Sequence, residues 1–258
     1  MWIEQNPKVL TKSGTSPKVF ISAPFGNYIK PKGTIPVTGT FTLNPRGNRL
    51  WSVLSSLRYS FKSNGGWTNK LGLPNPGIEK GLHRHFTAGG EVLSIAEIQK
   101  GDFNKLVEII PERTDIELNL SCPNLAKRLP WDSARVFTQT NDCRKWCIAK
   151  LSPLTTPEQL EFVIEELGFE QLHFSNTLPT PAGGLSGPTL KPYTLELIDI
   201  VRERWGERVE IIAGGGVRDF GAVCDYLSAG ANHVSLGSVC FNPFRLRRLL
   251  KSLELKNV

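Results

Sequence analysis

The chain has 258 residues, 40% of them hydrophobic and 21% charged, with a formal net charge of +7. That is enough apolar material for one large core; it excludes a disordered chain and fits a single domain over residues 1–258, since an α/β barrel takes about 250 residues. The basic residues are scattered, with small clusters at Lys127 and Arg128 and at Arg245, Arg247 and Arg248. This pattern reads as a solvated surface. The charge would suit nucleic acid, an anionic membrane or anionic small molecules and does not choose among them, but without an aromatic-basic RNA motif no nucleic-acid partner is expected.

The first twenty residues set Lys8, Lys12 and Lys18 among Pro, Thr and Ser, without an apolar stretch of signal-peptide length. No run of about 18 apolar residues follows, so no membrane association is expected. Strands are predicted near Val19–Ala23 and Thr34–Thr38, and the short Gly-, Pro-, Lys- and Asn-bearing segment between them has no room for a helix. The stretch from Thr42 to Gly81 is long and rich in Gly, Asn and Pro, and reads as an active-site loop. His83 and His85 just beyond it read as surface loop residues, because no Cys, Asp or Glu stands at metal-ligand spacing from them.

Six further strands are predicted near Glu91–Ile95, Ile116–Ser121, Trp146–Leu151, Gln171–Ser175, Val209–Ala213 and His233–Gly237. Helix-period patterns alternate with them from the middle of the chain onward. In Thr156-Pro157-Glu158-Gln159 a Thr cap, Pro at the first position and Gln at the third predict a capping box, and Leu160, Val163, Ile164 and Leu167 give one apolar face. After Pro243, Leu246, Leu249, Leu250 and Leu253 repeat the pattern. Eight strands alternating with helices predict a (β/α)8 TIM barrel, with its N-terminal β/α unit abbreviated.

In such a barrel, polar residues at the C-terminal strand ends are catalytic candidates and glycine turns after strands seven and eight bind phosphate. Here Gly214-Gly215-Gly216 follows the seventh strand, with Asp219 placed to cap the next helix, and Gly237-Ser238 follows the eighth. Glycines let the backbone approach a phosphate, and free N–H groups at a helix start bind anions. The fourth strand ends in Asn119, Ser121, Cys122 and Asn124, amides gathered around a thiol, with Pro123 ending the strand. A thiol at the barrel mouth, its pKa lowered by an adjacent cation, can serve as base or nucleophile. By themselves these residues leave open a plain tight turn and an inert buried cysteine. Five cysteines, Cys122, Cys143, Cys147, Cys224 and Cys240, include no C-x-x-C pair, which predicts reduced thiols, no metal site and a cytoplasmic protein.

The run Asn119-Leu120-Ser121-Cys122-Pro123-Asn124 keeps company, in order, with Asn69-Lys70-Leu71-Gly72-Leu73-Pro74-Asn75, Lys150-Leu151-Ser152-Pro153, Asn176-Thr177, Gly183-Gly184-Leu185-Ser186-Gly187 and the turn at 214–216. As a set these motifs resemble the dihydroorotate dehydrogenase family. The resemblance implies an FMN-dependent oxidation of dihydroorotate to orotate, a step of pyrimidine biosynthesis. It makes Cys122 the base that removes the C5 proton while hydride passes from C6 to flavin N5, and Lys150 a cation beside the flavin ring that stabilises its anionic reduced form. It places the substrate on Asn69, Asn119, Asn124, Asn176 and Thr177, where amides match the donors and acceptors of a dihydropyrimidine edge. Cofactor contacts fall on Ala23, Thr40, Asn119, Lys150, Asn176, Gly187, Gly215, Gly216, Gly237 and Ser238. The implied partners are the small-molecule substrate and an electron acceptor that these residues do not identify, whether fumarate, a quinone or a partner flavoprotein. A homodimer is among the assemblies the resemblance allows.

One departure stands out. Gly39 occupies the place where soluble members with a Cys base carry a lysine, whereas the membrane-associated class shares the glycine and sets its lysine just after strand one, here near Asn27 and Lys30. Two other readings compete. A tRNA dihydrouridine synthase-like enzyme is opposed by Asn124 and the Gly183–Gly187 run, and a catalytically silent flavin-binding protein by the retained Cys122, Lys150 and asparagines.

Overall fold

Side chains alternate across a β-strand, so each short apolar run sends one set of residues into a barrel and the other toward the helices around it. The computed structural model describes residues 16–47, 57–60, 65–70, 72–120, 131–139 and 143–255. In chain order its strands are β1 (Val19–Ile21), β2 (Thr34–Phe41), β3 (Arg58–Ser60), β4 (Gly66–Asn69), β5 (Val92–Ile95), β6 (Ile116–Asn119), β7 (Cys147–Lys150), β8 (Gln171–Phe174), β9 (Leu178–Thr180), β10 (Gly183–Ser186), β11 (Glu210–Ala213) and β12 (His233–Leu236). The parallel strands β1, β2, β5, β6, β7, β8, β11 and β12 close into a barrel in that order, with β12 beside β1. Each of the eight predicted strands is one of these.

Phe20, Ile35, Val37, Val92, Trp146, Ile148 and Ile212 form one apolar cluster, drawn from the inward positions of β1, β2, β5, β7 and β11 and the residue before β7. A larger cluster lies between the strands and the helices. Those helices are α1 (Ile78–Thr87), α2 (Asp102–Ile109), α3 (Arg135–Gln139), α4 (Pro157–Glu161), α5 (Lys191–Trp205), α6 (Phe220–Ala229) and α7 (Pro243–Leu255). The capping box of α4 forms as expected: Gln159 N–H donates to Thr156 Oγ1 at 3.3 Å and Thr156 N–H donates to Gln159 Oε1 at 3.0 Å. The helix then widens into a π turn over Phe162–Glu166, and Leu160, Val163, Ile164 and Leu167 are buried. Asp219 caps α6 by accepting from Ala222 N–H at 3.0 Å. Leu246, Leu249 and Leu253 bury the inner face of α7, with Leu250 half-buried at its edge.

Between β1 and β2 there is only a 3-10 turn, Phe25–Asn27. The outer side of β2 is covered instead by α1, whose His85 meets Thr38 and whose Gly81 lies against the Phe41 ring.

Two expectations need correction. The stretch from Thr42 to Gly81 is not one loop: it holds β3 and β4, and α1 begins within it. β3 and β4 join β10 and β9 in an antiparallel sheet, with Trp67, Thr68 and Asn69 of β4 opposite Ser186, Leu185 and Gly184 of β10. Aromatic and β-branched residues favour this, and the rings of Tyr59 and Trp67 meet edge-on across β3 and β4 at 5.1 Å. His85 is not in a surface loop either. It lies in α1 seven residues after Ile78, hence on the same inward face, and is buried with its Nδ1 2.7 Å from Thr38 Oγ1. Burial, reinforced by the charge of Lys30, pushes its imidazole down to about 4. His83, two residues earlier in the same helix, is exposed.

Candidate active site

Above the apolar plug, the inward positions of β5, β6, β7 and β8 turn polar. Register sets Ser94 beside Glu117, Asn119 beside Lys150, and Lys150 beside His173. A carboxylate withdrawn from water is costly unless its lone pairs are met, and Glu117 is fully buried. Its Oε1 accepts from Ser94 Oγ at 2.9 Å and lies 3.5 Å from Lys150 Nζ, while its Oε2 accepts from His173 Nδ1 at 2.6 Å. Burial alone would raise the Glu117 pKa. The charge of Lys150 and the hydrogen bonds from His173 and Ser94 outweigh it and hold the carboxyl at about 2. His173 is pushed down, first by burial and then by Lys150, against the pull of Glu117. The ring is therefore read as neutral, with its one proton on Nδ1.

From this carboxylate a directional chain of hydrogen bonds runs up to the barrel mouth. Ser94 gives its proton to Glu117, so Thr40 Oγ1, 3.0 Å away, donates to Ser94 Oγ and in turn accepts from Asn119 Nδ2 at 3.4 Å. Asn176 Nδ2 donates to Asn119 Oδ1 at 3.2 Å, and Asn176 Oδ1 accepts from Thr177 N–H at 2.9 Å. The structure thus gathers Thr40, Asn119, Lys150, Asn176 and Thr177 at one end of the barrel. Asn69 stands apart from them, in β4, where its Nδ2 donates to Gly184 O at 3.5 Å.

The remaining candidates ring the same rim. Ala23 follows β1 next to Ser22, whose N–H donates to Leu236 O at 2.9 Å, and Gly237 and Ser238 follow β12, where a 3-10 turn over Ser238–Phe241 begins. Gly215 and Gly216 follow β11, and the Tyr226 hydroxyl donates to Gly215 O, fixing the turn. Gly216 has φ +78°, and a Cβ there would fall 2.7 Å from Pro188 Cα, so the turn closes on the segment carrying Gly187 only because residue 216 is glycine.

The comparisons with known proteins agree on one family. The dihydroorotate dehydrogenase family model matches residues 37–256. The chain belongs to the dihydroorotate dehydrogenase family. It is an oxidoreductase of that flavin-dependent family, and neither competing reading is favoured. It is 30% identical to the dihydroorotate dehydrogenase B (NAD(+)) catalytic subunit of Endomicrobium trichonymphae, over 97% of this chain and 88% of that one. The subunit of the same name from Caldicellulosiruptor saccharolyticus is 28% identical, over 74% and 72%. The crystal structure of dihydroorotate dehydrogenase from Eimeria tenella in complex with ferulenol shares the fold, with a TM-score of 0.74 at 19% identity, over 92% of this chain and 81% of that one.

Within this dihydroorotate dehydrogenase fold, the departure at Gly39 has a steric basis. Gly39 has φ +112°, and a Cβ would fall 2.3 Å from Ser94 O, so a lysine does not fit this backbone. Asn27 holds the residue instead: its Nδ2 donates to Gly39 O at 2.9 Å and its Oδ1 accepts from Gly39 N–H at 3.2 Å. Lys30 does not stand in for the lysine, because its amine donates to Ala88 O just past the end of α1, at the N-terminal end of the barrel strands. Lys150 is therefore the lysine that the described residues place in the polar upper interior.

Ser121, Cys122 and Asn124 lie outside the described residues. Among the described thiols, burial pushes Cys147 and Cys240 up to about 12, which makes them unreactive. Sequence reasoning passed over Ser94, Glu117 and His173. The signal was present, since Glu117 is a charged residue within the otherwise apolar run Ile116–Leu118 and shares the inward parity of Asn119. No helix among the described residues is long and apolar enough to cross a membrane.

Proposed function

We propose that this chain oxidises dihydroorotate to orotate with FMN, working in the cytoplasm on a small molecule. The observation that carries this reading is the hydrogen-bonded chain from Thr177 through Asn176, Asn119, Thr40 and Ser94 to Glu117, with Lys150 beside it. Amides, whose donors and acceptors match a pyrimidine edge, stand beside a buried cation, Asn119 being paired with Lys150 across β6 and β7. The donor set suits FMN: polar hydroxyl and amide groups with a lysine for the ring, and glycine turns after β11 and β12 for the phosphate. Bound FMN would supply the hydride acceptor. Lys150 would stabilise negative charge that grows as hydride arrives, Asn69, Asn119, Asn124 and Asn176 would orient the substrate, and Cys122 would take its C5 proton.

The name shared by the two bacterial relatives, a catalytic subunit of an NAD(+) enzyme, supports a partner subunit as the route by which electrons leave. The test begins with purified protein loaded with FMN under anaerobic conditions, which dihydroorotate should bleach. Flavin that stays oxidised would end this reading. Cys122→Ala should keep FMN and orotate binding while flavin reduction slows by about 10²- to 10⁴-fold. A wild-type rate in that variant would remove Cys122 from its role.

A further inference from the structure

We infer that His173 is a positioning residue for the cofactor-side lysine, acting through Glu117 to keep the Lys150 ammonium tethered but not neutralised. The inference rests on reading Lys150 as the flavin-side cation, and it starts from how the carboxylate divides its two oxygens. Oε2 is taken by His173 at 2.6 Å, and Oε1 accepts from Ser94 at 2.9 Å. Lys150 stands off at 3.5 Å, beyond the roughly 2.7–2.9 Å of a charge-assisted N–H···O bond. Two neutral donors thus satisfy the carboxylate's lone pairs, and the ammonium, ion-paired with it only at 3.5 Å, keeps its N–H donors for whatever lies above it. Had the strands carried leucine at 173, Oε2 would be a buried anionic oxygen without a partner. Lys150 is the cation within reach, and it would close onto the carboxylate as a contact pair.

The surroundings of His173 fit a dedicated role. Its charged neighbours are Glu117 from β6 and Lys150 from β7, and on the β11 side it faces Gly214, whose missing side chain leaves room for the ring. A Cβ on Gly214 would stand 3.3 Å from His173 Nε2. Among the described residues no hydrogen bond reaches Nε2, so the ring spends its one donor on Glu117 and ties nothing else together.

The test is the midpoint potential of FMN bound to the full-length protein, measured beside anaerobic reduction by dihydroorotate. His173→Leu should make the potential more negative by about tenfold in the two-electron equilibrium, which is about 30 mV, and should lower kcat with KM little changed. His173→Asn keeps an N–H donor near the Nδ1 position and should recover most of the shift. Glu117→Gln removes the anion that restrains Lys150 and should move the potential the other way. If His173→Leu does not fold, Ser94→Ala and Glu117→Gln must still shift the potential in opposite directions. A wild-type potential in His173→Leu, alongside a lowered one in Lys150→Ala, overturns the inference and leaves the reading of Lys150 standing. So does a shift of the same sign in His173→Leu and Glu117→Gln. An unchanged potential in Lys150→Ala overturns the reading of Lys150 itself, and the inference falls with it.

Discussion

The barrel contains two histidine–glutamate pairs with the same 2.6 Å separation, one toward each end, and they serve different purposes. At the N-terminal end, His233 Nε2 donates to Glu210 Oε1 while its Nδ1 accepts from Lys18 N–H at 3.0 Å, and Glu210 Oε2 accepts from Gln171 at 2.7 Å. Both ring nitrogens are spent, the Glu210 side chain is 35% exposed, and the result joins β12, β11, β8 and the residue before β1. Toward the mouth, His173 uses one nitrogen on a carboxylate with no exposure, and a lysine stands beside it. A pair whose ring nitrogens are both used closes a structure, whereas a pair with a cation held at a distance beside it prepares a site.

The sharpest way to break this contrast is to remove each carboxylate. Glu117→Leu leaves Lys150 and His173 buried without their anion and should cost about 3–5 kcal/mol in denaturant unfolding. Glu210→Leu, at a half-open position, should cost far less, and equal losses would erase the distinction. Acid unfolding tests it next. The folded pKa of Glu117, about 2, lies below its unfolded value, so its contribution is complete above about pH 4.5 and is lost as pH falls toward 2. That contribution is on the order of 3 kcal/mol. His173 acts in the same direction: its folded pKa is lowered, so the unfolded chain takes the proton first as pH drops below about 6.5. Lys150→Met should move the acid limb of stability toward neutral pH. Glu210, whose carboxyl is also held below its ordinary range by His233 and Gln171 against its burial, adds to the same limb, and Glu210→Gln should remove only that smaller part. The smallest effect is expected from His233→Phe, a loss of about 1 kcal/mol per hydrogen bond removed. Flavin reduction in that variant should match wild type, and slowed reduction would mean that the lower pair reaches the chemistry after all.

Much of this architecture was legible in the chain. Short apolar runs marked all eight barrel strands, alternating with helix-period patterns from the middle of the chain onward, and the cap at Thr156 could be written down with its partners because capping is local. What escaped were contacts that exist only after strands align. Glu117 and His173 lie 56 residues apart and meet through the register of β6, β7 and β8, which no single run of residues announces. His85 was missed for a related reason: its burial depends on α1 starting at Ile78 and turning that face toward Thr38. The strands β3 and β4 hid inside a Gly- and Asn-rich stretch because the strand that ties them into a sheet, the β4 partner β10, is more than a hundred residues away in the chain.

That distant pairing has a mechanical consequence. Asn69 lies opposite Gly184, and Gly187 follows the same strand one residue past its end, so a residue expected to touch substrate and one expected on the phosphate side share one hydrogen-bonded ribbon. Two loops that rise from opposite sides of the barrel therefore cannot open independently without tearing a ladder. Amide exchange would show this directly, because a ligand seated against Asn69 should slow exchange across Leu178–Ser186 as well as across β4, in a single cooperative step.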